Sequence, residues 1–178
     1  MKVLIVSGKA GSGKSFFADQ LQRMYEKVYG LRVAQLAFAD PLKMVAKNLY
    51  GWDGEKGEGG RHLLQELGTD IVQQNNILCW TNCIIEIMKG LETEFDLFII
   101  SDARFAHEID HTKDSLPLAD IITVRIEGKT SLAGEASEHS SETDLDEYVF
   151  DYHFPNKDYD MSIFFYNLIT LVKRTMGE

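Results

Sequence analysis

KVLIVSGKAGSGKS, residues 2–15, runs an apolar stretch into three glycines and a lysine. Residues 2–7 form a short apolar run that stops at a glycine, which predicts a strand buried on both faces. From Lys14 to Val28 the pattern turns helical. Between the two, Gly8 to Ser15 fits GxxxxGK[ST], a pattern whose backbone N–H groups and helix amino end wrap an anion. At an average glycine abundance of roughly 7%, a chance match in a chain of this length is on the order of one per cent. Gly8, Gly11 and Gly13 let the backbone close on phosphate oxygens with no side chain in the way, and Ala10 and Ser12 complete the turn. Lys14 is placed to reach β and γ phosphates, and Ser15 to bind Mg²⁺. The pattern makes no demand on Lys9, which is expected to be a solvated lysine.

Working outward, apolar runs recur at intervals and alternate with helical patterns. Strands are predicted over 32–38, 96–101, 120–126 and 148–154, and helices over 41–50, 61–75, 77–92, after Phe105, and over 161–176. Strands alternating with helices predict an α/β fold of three layers, a central parallel sheet of about five strands between helices. The glycine-rich stretch 51–60 separates two helices as a loop. EGKTSLAGEASEHSSETD, residues 127–144, lacks apolar periodicity and is expected to be a polar flap, with SETD able to cap a short helix.

With 178 residues and 44% hydrophobic content, the chain is long enough for one domain with a substantial core. A formal charge of -10 and a pI near 4.9 exclude a surface built to track polymeric nucleic acid. The opening apolar run is too short for a signal peptide, and no stretch approaches the roughly 18 apolar residues of a membrane helix. A soluble, cytoplasmic protein with no membrane partner is expected. Cys79 and Cys83 stack on one helix face beside Trp80, Ile84, Ile87, Met88 and Leu91, which predicts buried thiols rather than a disulfide or metal pair. The apolar helix at 77–91 suits either the core or a homodimer interface.

A phosphate loop alone leaves kinase, GTPase and motor ATPase open. The chain is short for most motors and carries no NKxD guanine signature, so a kinase leads. GKAGSGKS, FADPLK, GRHLLQELGTD, ISDARFAHE, SEHSSE and FPNKD, in that order, resemble the deoxynucleoside monophosphate kinases of bacteriophage type, within the wider P-loop nucleoside monophosphate kinase group. The resemblance covers most of the chain, and only the first motif is specific by itself. It implies ATP and Mg²⁺ as cofactors, a nucleoside monophosphate as the second small-molecule partner, and a phage-encoded enzyme acting in a host cytoplasm. Residues 41–92 become a helical acceptor-binding region and 127–144 a lid.

Carried over by position, the resemblance implies that Arg61 and Gln65 face the acceptor nucleotide. Residues four apart share a helix face, and a guanidinium matches a phosphate with two bonds. Asp102 takes the place of a Walker B carboxylate that holds Mg²⁺. Arg104 would meet acceptor phosphate or the transferred group. With Arg23, Arg32 and Arg174 away from the motifs, Arg61, Arg104 and Arg125 remain for phosphate chemistry. His139, Ser141 and Glu142 resemble an HxSE segment closing over the phosphates, and Asn156 a position beside the ATP base. The family often carries an arginine soon after its GTD-like segment, where this chain has Gln73 and Gln74. It often carries a second basic residue after VRI, where Lys129 is the nearest substitute.

Asp40 follows the carboxyl end of the second predicted strand and separates two enzyme classes. A monophosphate acceptor is mostly dianionic at pH 7, since its second pKa is about 6, and needs no base. Asp40 would then order acceptor, water or a basic side chain. A hydroxyl acceptor, as in dephospho-coenzyme A kinases, would use it as a base. A nucleotide switch without an acceptor is the third reading, disfavoured by Arg61, Gln65 and the long helical insertion. HEIDH, residues 107–111, matches the HExxH zinc pattern, but Asp110 and the following TKD make a polar helix, and a solvated face is the better account.

Overall fold

The computed structural model describes residues 1–55, 57–68, 76–128, 140–156 and 160–178, with the side chains of Glu58 and Arg61 outside the description. Five strands form one parallel sheet: β1 (Lys2–Ser7), β2 (Val33–Leu36), β3 (Leu97–Ala103), β4 (Asp120–Gly128) and β5 (Tyr152–Asn156). Their order is β2-β3-β1-β4-β5. The helices are α1 (Lys14–Tyr29), α2 (Asp40–Leu49), α3 (Glu58–Gln65), α4 (Cys79–Gly90), α5 (Ala106–Ser115), α6 (Ser140–Thr143) and α7 (Met161–Met176).

Alternation along β1 assigns the layers. Leu4 and Val6 point to one face, where Phe17, Leu21 and Tyr25 of α1 and Phe164, Leu168 and Leu171 of α7 cover them. Val3 and Ile5 point to the other, under Ile84, Ile85 and Met88 of α4 and Ile109 of α5. Each such side chain contributes roughly 1.5–3 kcal/mol on burial, so the two layers are what hold an all-parallel sheet in place. A third cluster joins α2, α3 and α4 through Leu42, Ala46, Leu67 and Trp80. No helix among the described residues is long and apolar enough to cross a membrane.

Several expected boundaries move, each for a local reason. β5 starts at Tyr152, not 148, because the Asp151 carboxylate takes the Thr123 N–H at 2.8 Å and starts the ladder there, while Tyr148 and Phe150 pack in the second layer. β4 runs on through Glu127 and Gly128, which pair with Pro155 and Asn156, so the flap begins later than expected. SSET is itself α6, so SETD does not precede a helix as its cap. α3 begins at Glu58, taking the last three residues of the glycine-rich stretch, and the expected continuation over 69–75 lies outside the described residues. The thiols are not buried: Cys83 is exposed and Cys79 partly so, since α4 turns Trp80, Thr81, Ile84, Ile85 and Met88 inward and that phase leaves position 83 outward.

Candidate active site

β1 lies between β3 and β4, so the loop leaving its carboxyl end sits where the sheet's winding reverses, the place an open α/β sheet offers a ligand. Gly13 caps α1 at φ 91°, a left-handed conformation that favours glycine. Ser12 N–H donates to the Lys9 carbonyl at 3.1 Å, closing the turn. The Lys14 ammonium is buried and, among the described residues, donates one hydrogen bond, a 3.3 Å contact to the Lys9 carbonyl. Burial, and then the neighbouring Arg104 guanidinium, draw its pKa below the usual lysine value. Ser15 is exposed at the helix start, and the buried Ser12 hydroxyl has no hydrogen-bond partner among the described residues.

Two neighbours brace this loop. Asn156 Nδ2 donates to the Ser12 carbonyl at 2.9 Å, so this amide holds the backbone of the loop. Gly128 abuts the same residue: a Cβ there would stand 2.5 Å from Ser12 Cα and 2.6 Å from its carbonyl oxygen. Sequence reasoning missed Gly128, because nothing local marks a glycine at a strand end as a contact to a loop more than a hundred residues earlier.

On the β2–β3 side, Asp102 is the sixth residue of β3, within the strand rather than past it. Its two oxygens accept the N–H groups of Phe38 at 2.6 Å and Ala39 at 3.1 Å, fixing the turn before α2. Burial raises its pKa, and those two N–H groups oppose the rise. Asp40 is half exposed: one oxygen accepts the Ala37 N–H at 2.9 Å, and the other meets the Lys43 ammonium at 2.9 Å. Arg104 donates from Nη1 to Glu142 Oε1 at 2.9 Å, while Glu142 Oε2 accepts the Ala10 N–H at 2.8 Å. Glu142, in α6, thus connects the loop to the arginine.

Arg125 stands elsewhere in the network. It donates to Ser7 Oγ at 2.9 Å and to Asp146 Oδ1 at 3.0 Å, and lies over the Phe150 ring at 5.7 Å. Asp146 also takes Lys9 at 2.7 Å, so Lys9 is an ion-pair member instead of a solvated side chain. Asp146 has no sequence signal, being 137 residues from Lys9. Gln65 is exposed on α3, whereas the Arg61 side chain, Gln73, Gln74, Lys129 and His139 lie outside the described residues.

Among the described residues no group of three or more His, Cys, Asp or Glu side chains is arranged to hold a metal ion, HEIDH included. Glu108 is buried rather than solvated, and its Oε2 accepts the N–H groups of Arg104 at 2.8 Å and Phe105 at 3.0 Å. Burial pushes its pKa up to about 8 despite those bonds. His111 meets Asn82 at 2.7 Å, and His107 stacks on Phe105.

The model of the deoxynucleotide monophosphate kinase family matches residues 53–158, more than half of the chain's 178 residues. The phosphate loop precedes that segment and stands on its own geometry. No curated protein matches the chain. Among solved structures, APS kinase of Mycobacterium tuberculosis, in complex with AMPPNP and APS, shares 12% identity over 97% of each chain with a TM-score of 0.55. Thymidylate kinase from Ehrlichia chaffeensis shares 13% identity over 98% of this chain and 100% of its own, with a TM-score of 0.52. A sugar kinase from Janibacter sp. shares 16% over 96% and 94%, with a TM-score of 0.54. Likeness at such identities speaks to the fold, which is that of P-loop kinases. With the family match over more than half of its length and a phosphate loop at the switch of its sheet, this chain belongs to the deoxynucleotide monophosphate kinase family of ATP-dependent phosphotransferases.

Proposed function

We propose that the loop after β1 grips the triphosphate of ATP and that the terminal phosphoryl group passes to the phosphate of a deoxynucleoside monophosphate, giving ADP and a deoxynucleoside diphosphate. The observation that carries this reading is the loop itself: GKAGSGKS leaves the end of β1, between β3 and β4, with the Arg104 guanidinium near enough to Lys14 to help lower its pKa. Two cations at one phosphate loop suit a reaction in which catalysis is charge neutralisation and positioning.

The acceptor lies on the β2–β3 side, over residues 41–92, with Arg61 and Gln65 of α3 facing it. The 127–144 segment acts as a lid within one domain. Arg104 pairs with the acceptor phosphate or the transferred group. Asp40 is a positioning residue, since its oxygens already hold the Ala37 N–H and Lys43, and an acceptor dianion needs no base. Arg125 also positions, tying the end of β1 to Asp146, and Asn156 holds the phosphate loop at Ser12. The partners are small nucleotides, and neither nucleic acid polymers nor membranes enter the reaction.

The residues present suit Mg²⁺: Ser15 offers an exposed hydroxyl at the helix start and Asp102 a carboxylate, both hard oxygen donors, and Mg²⁺ takes few protein ligands beside phosphate and water. When bound, Mg²⁺ supplies charge neutralisation on the phosphate oxygens. Asp102 meanwhile keeps the Phe38–Ala39 turn in place, so one carboxylate joins the two substrate sides.

Asp40→Asn tests the acceptor class. The KM for the monophosphate is expected to rise more than kcat falls. A fall in kcat of about 10²- to 10⁴-fold at unchanged KM would mean a proton must be removed, and hence a hydroxyl acceptor.

A further inference from the structure

We propose that Glu142 is an internal anion that the terminal phosphate of ATP displaces, so that this one carboxylate lets the site distinguish a triphosphate from a diphosphate. The inference rests on the donor assignment above. Ala10 belongs to the turn whose N–H groups are built to meet phosphate oxygens, yet its N–H is donated to Glu142 Oε2 at 2.8 Å. The other oxygen takes the Arg104 guanidinium at 2.9 Å. The Glu142 side chain is 4% exposed, against 40% for Arg104, so the anion is sealed between loop and arginine.

A carboxylate presenting two oxygens to two donors does what two oxygens of a phosphoryl group would do there. Both anions cannot occupy the place, because like charges in a water-poor site repel strongly. Lys14 sits beside the same carboxylate and reaches toward the β and γ positions. The contest is therefore for the terminal group. A diphosphate leaves Glu142 bound to Ala10 and Arg104, whereas a triphosphate releases it and inherits both donors. Release also removes the Glu142 contacts of α6 to the phosphate loop and Arg104, while Asp144 on the Ala106 N–H and the buried Leu145 keep its carboxyl end in place.

The test is calorimetric titration of the wild type and Glu142→Gln with magnesium-AMPPNP and, separately, magnesium-ADP. Gln keeps the shape and an oxygen for Ala10 while removing the charge. The AMPPNP Kd is expected to fall about tenfold in the variant, with the ADP Kd changed less than twofold. Equal tightening toward both nucleotides, no change, or weaker AMPPNP binding would each overturn the proposal, the last by showing a permanent strut. Amide hydrogen exchange of the wild type gives a readout independent of the variant's folding: exchange over residues 140–146 should rise with AMPPNP and not with ADP, and the opposite pattern overturns the displacement. If the wild type binds neither nucleotide, the donor assignment itself fails, which is a distinct result.

Discussion

Replacing Gly128 by alanine should disable the phosphate loop while leaving the sheet intact. The added Cβ would stand 2.5 Å from Ser12 Cα, 2.6 Å from its carbonyl oxygen and 2.9 Å from its carbonyl carbon, all backbone atoms. Ordinary carbon contacts lie near 3.5–4.0 Å, so the loop must retreat by about 1 Å. No side chain can rotate away to absorb the overlap. Overpacking of this kind costs about 1–3 kcal/mol, and at ~2–4 °C per kcal/mol for a chain of this size the melting temperature should drop by roughly 2–12 °C. A 1 Å displacement of a group that positions phosphate costs on the order of 10²-fold in turnover. The assay pairs thermal unfolding with kcat/KM for ATP. Gly90→Ala at the end of α4 is the control, because a Cβ there meets nothing within 4 Å and alanine is the better helix former. Unchanged ATP kinetics and melting temperature in Gly128→Ala, with Gly90→Ala behaving alike, would refute the close approach of β4 to the loop.

Lys14→Ala should reduce kcat by at least ~10²-fold while the protein stays folded, since its ammonium makes one long contact and its burial already disfavours the charge; near-normal turnover would remove the loop from the mechanism. Arg125→Lys, which loses the fork that spans Ser7 and Asp146, should lower the melting temperature more than it changes kcat; a selective loss of kcat at unchanged stability would place Arg125 on a phosphate. Glu108 provides a pH signature. Its carboxyl holds a proton up to about 8 in the folded chain, whereas the unfolded chain releases it near 4.5. Rising pH through that window favours the unfolded state, so the stability of the wild type relative to Glu108→Gln should decline by up to roughly 5 kcal/mol between those values. A difference flat in pH from denaturant titrations at pH 5 and 8 would contradict it.

What the sequence carried was local. The GKAGSGKS turn and its flanking strand and helix are defined by adjacent residues, and the apolar runs located all five strands to within a few positions. What it did not carry was pairing across the chain. Glu142 to Ala10 spans 132 residues and Arg125 to Ser7 spans 118, and no spacing rule connects such positions. Arg125 therefore belonged among the phosphate-facing arginines by elimination, although its guanidinium faces Ser7 and Asp146. The cysteines show a different limit. An i, i+4 pair flanked by apolar residues marks a stripe on a helix, but which stripe turns inward depends on what the helix packs against. In α4 the sheet takes Ile84, Ile85 and Met88, α2 and α3 take Trp80, and Cys83 is left outside. In HEIDH the expected solvated face did not extend to Glu108, which turns back on the N–H groups that open its own helix.

The transfer of a terminal phosphoryl group from the phosphate loop to a nucleoside monophosphate stands at the centre of this chemistry. It is tested most directly by incubating the protein with Mg-ATP and each ribo- and deoxynucleoside monophosphate in turn, then separating the nucleotides. ADP and a deoxynucleoside diphosphate are expected in equal amounts, formed only when an acceptor monophosphate is present. ADP appearing at the same rate without any acceptor, or a phosphorylated product only with a hydroxyl compound, would contradict it.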